Sequence, residues 1–506
     1  MPISNYQTPG VYVTQSGSSF VSVSNAALNI CILADSTVSG YDTDTYVAVS
    51  GSLVGVLSTP LVNSGTITAY TSTITGTNGV NFSTTRCNSD GSTNPTGIYT
   101  AVYTTSGFSG AAISGTTTFN YQHSFGGYGT YTNYNAVSTA FGPAVSGTNV
   151  SSQASLASYL AFLNGAASVT VLPVARASSY NGITVGSVAS TSDWSRALTT
   201  SNTGSDETYL NNQVGVDVVV PTYPFSTSAG VVTYSSDAVS TGITSYLSTQ
   251  FNNGVYQRFF IGIDGTANNL TSTAVVAFAT AFNNSRVSIA YPGSLTYNPG
   301  LNATTGLSNT LINIAGYYGA AALAGLFVGQ PSVATPITNK QVFGFTAVPN
   351  QVSAVDSASI YQANGLCVIR QRRNGNMYVQ QGLTTNTSNW LTQEISINAI
   401  GDVLADNIQA ALVSSGLIGA PLTAQTFAGA QGIVQNQLIS SVKTGLIQAY
   451  QNLTATTGNP NPTTIYITFQ YAPTYPINYI DVTLSLNPNT GQLTTTGTLS
   501  SNYTTA

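Results

Sequence analysis

Between residues 135 and 305, short runs of consecutive apolar residues alternate with helical patterns, and this alternation constrains the fold more than any other feature of the chain. The runs are "SVTVLPV" ending at Val174, "VGVDVVVP" (214–221), "RFFIGIDG" (258–265) and "RVSIAYPG" (286–293). They are apolar at successive positions instead of alternate ones, as strands covered on both faces are. Ahead of the first, Leu156, Tyr159, Leu160 and Leu163 fall at helical spacing and Gly165 supplies a stop. Further helical patterns fill 238–251 and 271–282. Strands buried on both faces and separated by helices predict a parallel α/β sheet.

The rest of the chain divides around that body. The apolar run within "NAALNICILADSTVSG" (25–40) reads as a first core strand. Residues 41–134 are dense in Thr, Ser, Gly and Tyr, with short alternating runs such as "GTITAYTSTIT", and predict an inserted all-β module. Residues 306–486 predict an α+β domain. It opens with an uncharged, Gly/Ala-rich stretch (311–329) that reads as a buried helix better than as a membrane span. In "GLCVIRQRRNGNMYVQQG", Asn374-Gly375 predicts a type I′ hairpin turn. A helix then shows Ile395, Ile400, Val403, Leu404, Ile408 and Leu412 on one face, with Glu394, Asn398, Asp402, Asp406 and Gln409 opposite. A second helix is expected over 429–450, followed by two strands. Residues 1–24 and 487–506 complete the chain as terminal arms. The expected class is therefore α/β multidomain: a parallel sheet body, an α+β C-terminal domain, an all-β insertion and strand-forming ends.

Composition excludes several functions. Only 5% of the 506 residues are charged, against about 25% in ordinary domains. Ten basic residues, with no run longer than Arg372-Arg373, cannot line a phosphate-tracking groove, so no nucleic-acid partner is expected. A net charge of −5 gives little self-repulsion over this length and favours association. The single histidine, His123, leaves no material for a hydrolytic triad or a two-histidine metal site. Cys31, Cys87 and Cys367 are too far apart for zinc spacing, and two of them lie in apolar runs as core thiols do. Asp217, Asp264 and Asp206-Glu207 have no sugar platform suggested beside them, and "GGYGTY" at Gly126 does not follow a strand as a phosphate loop would. No enzyme, cofactor, resident metal or membrane insertion is expected. The opening "MPISNYQTPG" lacks the basic and apolar regions of a secretory signal peptide.

Two features retain functional weight. Asp35, Thr37 and Ser39 stand in D-x-T-x-S order just past a strand, where von Willebrand A-like adhesion domains hold a divalent cation. A metal-dependent adhesion or receptor-binding surface protein is thus the alternative reading. The sparse charges thicken between Lys340 and Lys443, so Glu394, Asp402, Asp406 and Lys443 are candidates for an electrostatic docking surface.

Both ends of the chain are strand-like without an obvious partner: "NYQTPGVYVTQS" (5–16) and "NYIDVTLSL" (478–486). The first resembles the T-P-G-V-Y-V opening of contractile tail sheath proteins, from contractile phage tails and R-type bacteriocins. Three further segments resemble that family in order: "NAVSTAFG…LASYLAFLNGAASVTVLPVAR", "YYGAAALAGLFVGQPSVATPITNK" and "VDSASIYQANGLCVIRQRRNGNMYVQQGLTT". Gln15 and Gly382-Leu383 depart from the family pattern. The resemblance implies a helical stack of hexameric rings around a tail tube, with baseplate and tail terminator proteins as further partners. It places the protein in the virion tail after assembly in the host cytoplasm. It also implies that Gly10, Val11, Tyr12 and Val13, and Tyr479, Ile480, Asp481, Val482 and Thr483, pair as strands with other subunits.

Overall fold

The computed structural model describes residues 28–35, six strands within 40–123, and residues 129–478 apart from 147–148, 175–188, 190, 200–209, 213–214, 227–229, 268–269, 301–309, 350, 418 and 458–464. A nine-stranded mixed sheet lies at the centre. Its parallel part runs in the spatial order Val169–Val174, Ile30–Asp35, Val218–Pro221, Arg258–Gly262, Val287–Tyr291 and Leu366–Gln371. Antiparallel strands close it: Gly129–Tyr131 at one edge, then Met377–Val379 and Gln341–Val342 at the other.

Continuous apolar runs arise because each strand feeds two cores. Ile30, Ile32 and Ala34 enter one cluster, whereas Cys31 and Leu33 enter the other. The same alternation splits Phe260 from Phe259 and Ile261, and Cys367 and Ile369 from Leu366 and Val368. On the first face lie the helices Gln153–Leu163 and Gly316–Val328. The opposite face is covered by Thr191–Ala197, Ala238–Asn252 and Ser272–Phe282. Local chemistry starts these helices where they start. Asp237 accepts from the N–H groups of Val239 and Ser240, and Ser152 and Thr271 cap their own helices in the same way.

The Gly/Ala-rich stretch becomes a short strand, Ile312–Ala315, followed by the 13-residue helix Gly316–Val328, which is buried through Phe327. Its small residues permit backbone contact: a Cβ on Gly325 would sit 2.3 Å from the Ala161 carbonyl oxygen. Among the described residues no helix is long and apolar enough to cross a membrane.

Four expectations change. Leu366–Gln371 joins the sheet beside Val287–Tyr291, so the sheet runs across the division drawn at 305/306. Gly129–Tyr131 pairs with Val169–Val171, so the main body resumes before residue 134. The second C-terminal helix is Ala424–Lys443, and Tyr450 lies in the strand Ile447–Thr457. Gly445, at φ 73°, ends that helix: its N–H reaches Val442 and that of Leu446 reaches Ser441, the paired bonds of a Schellman stop. In the 366–379 hairpin only Gly375 takes positive φ, and its N–H bonds to Arg372. That is a type I turn with a glycine bulge, not the type I′ turn expected.

The strands within 40–123 pair with one another in two three-stranded sheets. One is ordered Gly40–Val47, Thr116–His123, Ile67–Ser72, and the other Val54–Val56, Ile98–Ser106, Gly79–Cys87.

Candidate assembly surface

The helix Ile395–Ser414 carries the acidic residues singled out above, and its apolar stripe lies against the first core. Ile395, Ile400 and Leu404 are buried, and Val403, Ile408 and Leu412 pack at its margin. Only part of the acidic side is the exposed face that a docking surface needs. Asp402 Oδ2 accepts from Arg258 Nη2 at 2.7 Å, and Asp402 Oδ1 accepts from Arg286 Nη2 at 2.5 Å. The two arginines stand at the same end of neighbouring parallel strands. One carboxylate therefore clamps the helix to the sheet.

Burial depresses the Arg258 guanidinium from its ordinary range, and the Asp402 charge opposes that shift. The Arg258 guanidinium also lies 5.3 Å from the Phe327 ring, and that of Arg286 4.5 Å from Phe251. Burial raises Asp217, on the same side of the sheet, to about 6, although it accepts the Asn29 N–H at 2.8 Å.

Glu394, just before the helix, is only 3% exposed. Burial raises it to about 7, against hydrogen bonds from Asn478, Gln381 and Ser396. Asp406 and Lys443 remain on the surface, and burial, then the Asp402 charge, raises Asp406. Of the four candidate docking charges, two thus point into the subunit. A periodic pattern identifies a polar face but does not say what covers it.

Beyond these helices, Ile447–Thr457 and Ile465–Pro473 form an antiparallel hairpin. Ile467, Phe469, Tyr450 and Leu453 pack against the core, which holds a two-stranded unit that would be marginal alone. Thr454 and Thr468 hydroxyls meet at 2.8 Å, and Asn452 takes positive φ in a bulge. Among the described residues neither strand has a second strand partner, so both outer edges are open to further pairing, although the Leu453 carbonyl accepts from Gln431 Nε2 at 3.5 Å. Exposed aromatics lie nearby: Tyr466, Tyr471, Tyr475 and Trp390, the last two with ring centroids 5.1 Å apart. Sequence reading missed this cluster, because tyrosines recur throughout the chain and nothing local distinguishes these.

The terminal-strand candidates Gly10, Val11, Tyr12 and Val13, and Tyr479 to Thr483, lie outside the described residues, as do Thr37 and Ser39. Asp35 is buried, and its Oδ2 accepts the Ala189 N–H at 2.7 Å, a structural use of the carboxylate. Cys31 and Cys367 are buried free thiols, and burial pushes Cys367 up to about 12. Among the described residues no group of three or more His, Cys, Asp or Glu could hold a metal ion.

No protein-family model matches the chain. Its sequence is similar to the tail sheath protein of Mycobacterium phage Bxz1, 29% identical over 349 residues, which cover 69% of this chain and 54% of that protein. It is also similar to the tail sheath protein of Bacillus phage SP01, 28% identical over 271 residues, covering 52% and 44% respectively. The chain therefore spans about half the length of the curated relatives it matches. Its fold is similar to that of a chain in the six-fold symmetrised cryo-EM structure of the anti-feeding prophage baseplate. The TM-score is 0.50 at 15% identity, over 71% of this chain and 88% of that one.

Proposed function

From its similarity to two phage proteins named tail sheath protein, we propose that this chain is a structural protein and not an enzyme, the subunit of a contractile tail sheath. The observation that carries the reading is the sequence similarity to two proteins of that name. The open-edged hairpin supplies a physical means. A strand from another subunit adds to a free edge through backbone hydrogen bonds, and alternate side chains such as Val11 and Val13 set its register. The arms at 10–13 and 479–483 are the proposed donors, and Ile447–Thr457 with Ile465–Pro473 the proposed acceptor. Repetition around a ring and along an axis yields a helical stack of hexameric rings enclosing a tail tube, bounded by baseplate and terminator proteins. Asp406 and Lys443 remain candidates for contacts with the tube or a neighbour. The strands within 40–123 form an outer module that does not block stacking.

Contraction is a shift between two packings of the same subunits, the contracted one lower in free energy. Purified protein is expected to assemble directly into wide tubes visible by negative-stain microscopy. Failure to polymerise at any concentration, or narrow extended tubes formed without a tail tube, would overturn this account.

A further inference from the structure

The segment 474–478 leaves the hairpin and crosses the start of the Ile395–Ser414 helix, where Tyr475 meets Trp390. Beneath it is an open cavity of about 410 Å³, with Glu394 and Asn478 in its wall. Asn478 is the last described residue, and its Nδ2 donates to Glu394 Oε2 over a long 3.4 Å. Its Oδ1 is buried without a partner. Ser396 Oγ donates to Glu394 Oε1 at 3.5 Å.

A carboxylate only accepts, so it can satisfy one half of a primary amide. A neutral carboxyl donates as well, and an acid–amide pair closes two hydrogen bonds at once. We propose that Glu394 and Asn478 form a proton-operated latch at the root of the C-terminal arm, closed when Glu394 is protonated and opened when it ionises. The proposal rests on the sheath reading for its purpose, since a released root frees residues 479–483 to reach another subunit.

The surroundings suit such a latch. No basic side chain is among the groups that shift Glu394; the hydrogen bonds from the neutral Asn478, Gln381 and Ser396 favour the ionised form, and burial outweighs them. Cys367, on the adjacent strand, is the titratable group coupled to it, and stays a thiol with its pKa near 12. Burial holds Glu394 near 7, so the closed latch keeps a proton that a solvated glutamate would release at about pH 4. Linkage then shifts the closed-to-open ratio toward open by up to about tenfold per pH unit across that window, and no further above it.

Trp390 reports the state directly, because it is 59% exposed and touches Tyr475, whereas Trp194 is 3% exposed and shielded. Acrylamide quenching of the full-length chain is measured from about pH 5 to about pH 9. Quenching should rise through one transition that ends near pH 7. Glu394→Gln should abolish the transition, and Asn478→Ala should give the high-quenching value at every pH. A flat profile in the parent, or an unchanged transition in Glu394→Gln, overturns the latch. Negative-stain microscopy of the same samples separates the two ideas. Tubes without a transition sink the latch alone, whereas a transition without tubes at any pH upholds the latch and counts against the sheath.

Discussion

Arg258, buried at the foot of a central strand, donates to Asp402, 144 residues later on the Ile395–Ser414 helix, at 2.7 Å. Arg286 shares the same carboxylate, so one acidic side chain pairs with two cations in a protein that has few.

Removing that carboxylate leaves a buried guanidinium uncompensated. Asp402→Ala is expected to cost about 3–5 kcal/mol, the range for breaking a buried pair by deleting one partner. Asp406→Ala, one turn away and exposed, should change stability by less than about 0.5 kcal/mol. Urea denaturation compares them, and equal midpoints would show that the clamp contributes nothing.

Stability should fall as pH rises through the weakly acidic range. Asp217 and Glu394 sit in the folded protein near 6 and 7, above their unfolded values, because burial disfavours the charged form. Between about pH 4 and those values the folded state holds protons that the unfolded chain has lost. Their contribution is therefore present at low pH, declines across this window, and is gone above about pH 7. The double variant Asp217→Asn, Glu394→Gln should lose less stability than the parent between about pH 5 and pH 8. Identical urea midpoint shifts would contradict this.

Deleting residues 1–16 should leave a folded body, since the described residues from Leu28 onward already build both cores. Polymer formation should fail, because each neighbour loses a strand of pairing, several hydrogen bonds at about 1 kcal/mol net apiece. Val11→Pro should weaken assembly in the same way by deleting one ladder donor. Circular dichroism and size-exclusion chromatography decide, and long tubes from the truncated chain would sink strand exchange.

Replacing residues 40–123 by a short Gly-Ser bridge should preserve folding and tubes. The strands there pair with one another, and the sheet strands on either side, Ile30–Asp35 and Gly129–Tyr131, both belong to the central sheet. A soluble, folded variant that never polymerises would place the module within the lattice contacts.

The parallel sheet was legible because its cause is local: a strand covered on both faces must be apolar at every position, and Ile30–Asp35 or Val287–Tyr291 announces this by itself. The amphipathic stripe on Ile395–Ser414 was legible for the same reason. The clamp went unread, although "RFFIG" and "RVSIA" each set an arginine at the head of a buried strand, a shared placement from which a common anion could have been inferred. Its identity was not visible, because Asp402 lies far along the chain and only packing brings it there.

By itself the sequence determined that buried strands alternate with helices through the body, that Gly165 stops a helix, and which motifs resemble tail sheath proteins. Tertiary structure alone decided that Leu366–Gln371 extends the same sheet, that Glu394 and Asp402 turn inward, and that Ile447–Thr457 and Ile465–Pro473 find no further strand partner among the described residues. The physical reason is that periodicity records which side of an element is apolar. What meets the other side, whether water, an arginine or another strand, depends on contacts between residues far apart in the chain.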